Sequence, residues 1–143
     1  MRPAPRFGRA LKPFRRPWLW GGLWVLAIAA VVALSLGPPM PMPDVRDGDK
    51  LGHFAAYFAL AAGAVQLYAR WPSLLGAGMG LVLLGIGVEY AQGALTQTRL
   101  QDPADALANT LGVIAGLGTR LTPLRDLLVQ LDRRGDTSAG PRG

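Results

Sequence analysis

Between Trp18 and Leu36 the chain runs WLWGGLWVLAIAAVVALSL, 19 residues without a charge. As a helix rising about 1.5 Å per residue, that run is long enough to cross roughly 30 Å of hydrocarbon. Trp18, Trp20 and Trp24 crowd its start, where indole rings favour the headgroup boundary. A cleaved signal peptide is the competing reading, because a basic stretch comes first. The run exceeds the usual apolar region of about 7–15 residues, so it reads as a retained first span. Three more apolar stretches follow at 51–68, 73–95 and 103–119. The expected fold is therefore all-α, an integral membrane four-helix bundle occupying residues 18–121.

The flanks are different in character. Residues 1–17 carry six cations and no acid among four prolines, which predicts a basic disordered tail. A nucleic-acid-binding arm is the sharper reading of such a charge run, and a solvated tail the commoner one. Gly37–Lys50 (GPPMPMPDVRDGDK) is a Pro-rich loop. In the tail from 122, Leu124, Leu128 and Leu131 continue from Leu121 at helical spacing. That spacing predicts a short amphipathic C-terminal helix lying at an interface, followed by disorder.

Charge then orients the spans. Of the 15 Lys and Arg residues, 12 fall on the side of the two termini in a four-span arrangement, leaving Arg46, Lys50 and Arg99 on the other. Cations accumulate on the cytoplasmic side, so both termini are expected inside. The net charge of +6 is thereby explained by topology, and no nucleic-acid partner is needed. With no cysteine, disulfides, thiolate catalysis and Cys-ligated zinc are excluded; one histidine excludes a multi-histidine site within one chain. No metal and no cofactor are expected.

Polar residues inside these spans carry the functional signal. Ionisable groups at the bilayer centre cost roughly 2.5–3.5 kcal/mol on insertion scales and are functional candidates by default. Glu89 and Gln92 lie i, i+3 near the end of the third span. Asp49, His53 and Tyr57 lie i, i+4, i+8 at the start of the second, on one face. Asp102, Asp105, Asn109, Gly112 and Gly116 form a polar-then-glycine stripe on the fourth. Gly112/Gly116, and Gly76/Gly80 in the third span, are small-xxx-small pairs that permit close helix approach. Asp102-Pro103 also reads as an ordinary helix start, with Asp at the N-cap and Pro at N1. The four-span arrangement brings all of these groups to the outer face.

Glu89 is the leading candidate for acid/base work, against an ion pair with Lys50 or Arg99 that only fixes packing. His53 could move a proton or orient against Asp49. Arg99 offers a planar fork for phosphate or carboxylate. Asp105 and Asn109 point one turn apart and could bond Glu89 or Gln92.

Three pieces, D-K-x-x-H-F-x-x-Y at Asp49–Tyr57, E-x-x-Q at Glu89–Gln92 and R-x5-D-x3-N-x2-G at Arg99–Gly112, occur in this order. The pattern resembles the VanZ-like family of small bacterial membrane proteins over roughly residues 49–118. The name-giving member is associated with glycopeptide (teicoplanin) resistance. The resemblance implies a role in the cell envelope at the cytoplasmic membrane. It makes Asp49, Lys50, His53, Tyr57, Glu89, Gln92, Arg99, Asp105 and Asn109 the family-type positions. It supplies no reaction. The leading expectation is an outward-facing polar pocket binding an anionic or lipid-linked envelope component, or a lipophilic glycopeptide-type antibiotic. Membrane lipids are the expected surroundings. The alternatives are an intramembrane enzyme on a lipid-linked phosphate or glycan, with Glu89 or His53 catalytic, and a transporter or flippase that would need a homo-oligomer.

Overall fold

The structure is a computed structural model and describes residues 10–39, 41, 46–97 and 100–135. It is all-helical, as the apolar runs require. The helices are α1 (Pro17–Leu36), α2 (Gly48–Leu67), α3 (Trp71–Leu95), α4 (Pro103–Gly118) and α5 (Leu127–Arg134). Prolines open three of them in the first or second position, where the missing N–H is no loss and the fixed φ suits a helix. At the head of α4, Asp102 accepts from the Ala104 N–H at 2.9 Å, the N-cap arrangement expected from Asp-Pro. α2 begins after Asp47, which is left-handed at φ 61°. Two short 3-10 turns, Thr119–Leu121 and Pro123–Asp126, lead from α4 to α5.

α1 and α3 are long and apolar enough to cross a membrane by length and composition. α2 and α4 carry ionisable groups in their first turns, Asp49 and Asp105, and α4 is only 16 residues long, about 24 Å.

The most extensive contact in the molecule is between α2 and α4, and two glycines permit it. A Cβ at Gly112 would stand 2.4 Å from the Phe54 carbonyl oxygen, and one at Gly116 would stand 2.5 Å from that of Phe58. Backbone meets backbone here, the close approach expected of the fourth-span pair. The third-span pair is corrected: Gly76 and Gly80 face open space. Close contact on α3 comes instead at Gly78 against Leu117, and at Gly85 against Tyr57 and Asn109.

Tyr57, Leu60, Ala61, Leu81 and Val113 form the core, continued toward the termini by Ala64, Val65 and Leu74. Large apolar side chains also cover the outside, among them Leu26 and Leu34 on α1, Met79 and Leu83 on α3, and Leu111 and Ile114 on α4. α1 buries no residue fully, yet Trp24 turns inward and donates from Nε1 to the Leu60 carbonyl at 2.9 Å. Of the three N-terminal tryptophans only Trp18, 91% exposed, stands free as a boundary residue would.

The expected disordered tail is ordered from residue 10; residues 1–9 lie outside the described residues. Leu11 pairs with Tyr68 in an antiparallel bridge, and Lys12 N–H donates to the Leu67 carbonyl at 2.8 Å. The Lys12 ammonium is buried, bonded to the Arg125 carbonyl and 3.0 Å from Asp126 Oδ1. Trp20 Nε1 reaches Asp132 Oδ1 at 2.8 Å. These links tie the N-terminal segment to the α5 region. Gln66 joins α2 to the same region, accepting from Leu128 N–H and donating to the Leu124 carbonyl. Leu121, Leu124 and Leu131 are exposed, and Val129 is the buried residue of α5.

Candidate functional site

The end of α1, the start of α2, the end of α3 and the start of α4 converge, and the polar residues of the three apolar helices α2–α4 meet there. Glu89, Gln92, Asn109 and Tyr57 are each at most 2% exposed, and His53 and Asp105 are buried as well. His53 and Tyr57 of the α2 face, and Asp105 and Asn109 of the α4 face, share one interior with Glu89, while Asp49 stays exposed.

His53 stands at the centre. Its Nδ1 is 3.1 Å from Asn109 Oδ1 and 3.8 Å from Glu89 Oε1. Its Nε2 is 3.6 Å from Asp105 Oδ2 and 3.9 Å from Asp49 Oδ1. The imidazole therefore bridges α2 to both α3 and α4. Glu89 Oε2 faces the Asp102 N–H across a long 3.4 Å contact at the head of α4. A helix N-terminus is a favourable partner for a carboxylate.

Two pairings that the sequence left open are not formed. Glu89 is not paired with Lys50; the Lys50 ammonium lies 3.4 Å from Asp102 Oδ2 and 4.0 Å from Asp47 Oδ1, at the rim. Hydrogen bonding from the Ala104 N–H and then from Lys50 holds the Asp102 carboxyl below its ordinary value. Gln92 does not meet Asp105 or Asn109. Its amide turns to α1 and donates to the Ser35 carbonyl at 2.7 Å, a contact with no sequence signal because the acceptor is backbone. Arg99, the remaining candidate, lies outside the described residues.

Four buried polar atoms here have no hydrogen-bond partner among the described residues: Tyr57 Oη, Glu89 Oε1, Asp105 Oδ1 and Asn109 Nδ2. Native interiors leave few such atoms, and these four belong to neighbouring residues. The site is also acidic: Asp49, Glu89, Asp102 and Asp105 surround His53, with Lys50 as the nearby ammonium. A groove of about 390 Å³ lies at the opposite end of the molecule, lined by Arg15, Arg16, Trp20 and Asp132 among others, and shares no residue with this cluster.

Sequence reading missed residues at that opposite end. Arg120 donates to the carbonyls of Tyr68 and Ala69 and lies over the Trp71 ring at 4.8 Å, closing the exposed end of α2. Its place just after an apolar run was the available signal. Lys12, within a run of like charges, had none.

Comparison with protein-family models, with curated proteins and with solved structures finds no match.

Proposed function

We propose that this chain is a VanZ-like multi-pass protein of the bacterial cytoplasmic membrane, with four spans (α1–α4) and both termini in the cytoplasm. Its polar cluster opens toward the outer face and receives an anionic or lipid-linked component of the cell envelope, or a lipophilic glycopeptide-type antibiotic. The observation that carries this reading is Glu89, a carboxylate buried between apolar helices beside His53, with one oxygen unpartnered. An interhelical hydrogen bond in a membrane bundle contributes only about 0.6 kcal/mol on average, so packing is a weak reason for six buried polar side chains at one end.

The apolar exterior supports the membrane setting. Large side chains such as Leu26, Leu83 and Ile114 are exposed around the bundle, where water would disfavour them and lipid would not. The described cations also separate by end: Arg70, Arg120, Arg125, Arg133 and Arg134 lie with the termini, and Arg46 and Lys50 at the other end.

An enzyme acting on a lipid-linked phosphate or glycan is the second reading, favoured by the contact of His53 with three carboxylates. The test compares envelope lipids and cell-wall precursors by mass spectrometry in three strains: one lacking the gene, one with wild type restored, and one with Glu89→Gln restored. Altered drug or envelope-stress sensitivity with unchanged chemistry is the outcome expected of a binding protein, lost in Glu89→Gln. A species converted by wild type alone would establish the enzyme instead. Wild type and Glu89→Gln behaving alike would end both readings.

A further inference from the structure

Asn109 Oδ1 can only accept a hydrogen bond, and it lies 3.1 Å from His53 Nδ1. A hydrogen bond between them places the ring proton on Nδ1, and in that tautomer Nε2 presents a lone pair to the other side. What it faces there is Asp105 Oδ2 at 3.6 Å and Asp49 Oδ1 at 3.9 Å. Three electron-rich atoms thus converge from two helices, all within 4.8 Å of one another. With both carboxylates ionised, such an arrangement is repulsive unless something positive joins it.

A second ring proton is the simplest candidate, and the distances fit it poorly. Hydrogen bonds to carboxylates run at about 2.7–3.2 Å between heavy atoms, shorter than either contact. A metal ion at about 2.0–2.2 Å from each donor in tetrahedral geometry separates its ligands by about 3.4 Å, close to the observed 3.6 Å and 3.9 Å. The far side of the ring has the matching feature. Metal-bound histidines donate their other N–H to an oxygen acceptor, which fixes the tautomer, and here Asn109 accepts with Glu89 Oε1 behind it at 3.8 Å. Asp105 is 5% exposed, and its other oxygen, Oδ1, is buried with no hydrogen-bond partner. Lys50 is engaged with Asp102 at 3.4 Å.

We propose that Asp49 Oδ1, His53 Nε2 and Asp105 Oδ2 form a three-ligand site for a divalent transition-metal ion of the zinc or manganese class. One imidazole with two carboxylates suits that class. Asp49 is 66% exposed on its side chain, so the remaining coordination position opens outward, where a water or an anionic ligand would complete it. The expectation of no metal rested on counting histidines and cysteines; the two carboxylates supply the donors that count left out. The site stands on this geometry alone and does not depend on which envelope component the protein receives.

The test uses the full-length protein in detergent, freed of any affinity tag and stripped with a chelator, titrated with Zn²⁺ calorimetrically and with Co²⁺ by absorption. Wild type is expected to bind one Zn²⁺ per chain and to give the intense visible bands of tetrahedral Co²⁺. His53→Gln and Asp105→Asn are expected to lose binding at least about 100-fold, and Asn109→Ala, behind the ring, about tenfold. Asp49→Asn changes an exposed side chain and keeps the fold, so its loss of affinity reads the site even if a buried variant unfolds. Wild type without stoichiometric Zn²⁺ binding, or Asp49→Asn and His53→Gln binding as wild type does, overturns the proposal. Neither result alters the strain comparison above, so the two readings fail separately.

Discussion

His53 on α2 and Asn109 on α4 meet side chain to side chain at 3.1 Å, inside an interface that two glycines have drawn to backbone contact. The hydrogen bond and the glycines depend on each other. Without Gly112 against Phe54 the helices would separate, and the short asparagine would not reach the ring.

Removing Asn109 tests that link. Asn109→Ala leaves the His53 N–H unpaired in a buried position, expected to cost about 1–3 kcal/mol. In a double-mutant cycle with His53→Ala, thermal unfolding in detergent should show a coupling of about 0.6 kcal/mol, the average for such bonds in membrane bundles, and no more than about 1.7 kcal/mol. Strictly additive single effects would show that the two side chains do not support one another.

The glycines predict opposite behaviour in α4 and α3. Gly112→Ala and Gly116→Ala place a Cβ against backbone oxygens at 2.4 Å and 2.5 Å, which no rotamer change relieves. Each should destabilise by about 1–3 kcal/mol or more. Gly76→Ala and Gly80→Ala meet nothing within 4 Å and should stay within about 0.5 kcal/mol of wild type. Melting temperatures of the four variants in one detergent decide the matter. Equal losses across all four would mean that α3 also uses its glycine face.

These contrasts show what the sequence could and could not reveal. Helical spacing alone put Asp49, His53 and Tyr57 on one face and Asp105 above Asn109, because a 3.6-residue repeat fixes angular position within a helix. Apolar length marked α1 and α3. Which polar faces meet is a matter of how helices pack, and spacing is silent on that. Gln92 therefore went to a backbone carbonyl of α1, and Lys50 to the cap of α4. The Gly76/Gly80 pair had the same form as Gly112/Gly116; only the latter lies on the face shared with α2. Lys12 was hidden for a different reason. Its burial depends on Arg125 and Asp126, more than 110 residues away.

Acidification should release the N-terminal segment from the α5 region. The Asp126 carboxyl is held below its ordinary value, first by its hydrogen bond with Lys12. Asp132 is lowered chiefly by the Trp20 indole N–H. A depressed folded-state value means that the unfolded chain takes up protons first as pH falls. The stabilisation is therefore complete above about pH 4 and is lost as pH drops through the lowered values. With Asp126 41% exposed, its share after solvent screening is below about 1 kcal/mol. The sensitive readout is local: amide hydrogen exchange at Leu11–Trp20 should accelerate below pH 4, and Asp126→Asn should bring the same acceleration at pH 7. Exchange independent of both pH and the substitution would show that the backbone pairing of Leu11 with Tyr68 holds the segment unaided.

Because the chain has no cysteine, its proposed orientation can be read with single introduced thiols. Gln97 is exposed beyond α3, at the end that holds His53 and Glu89, and Gln130 is exposed on α5 at the end that holds the termini. With 12 of 15 cations on the terminal side, the positive-inside tendency places Gln97 outside and Gln130 in the cytoplasm. In intact cells a membrane-impermeant maleimide should label Gln97→Cys and leave Gln130→Cys unmodified until the membrane is opened. The reverse pattern would turn the acidic cluster toward the cytoplasm and remove the outer-leaflet ligand from the proposal. Labelling of both positions in intact cells would mean that an even number of segments crosses between them, and that α4 with its 16 residues is the helix that fails to span.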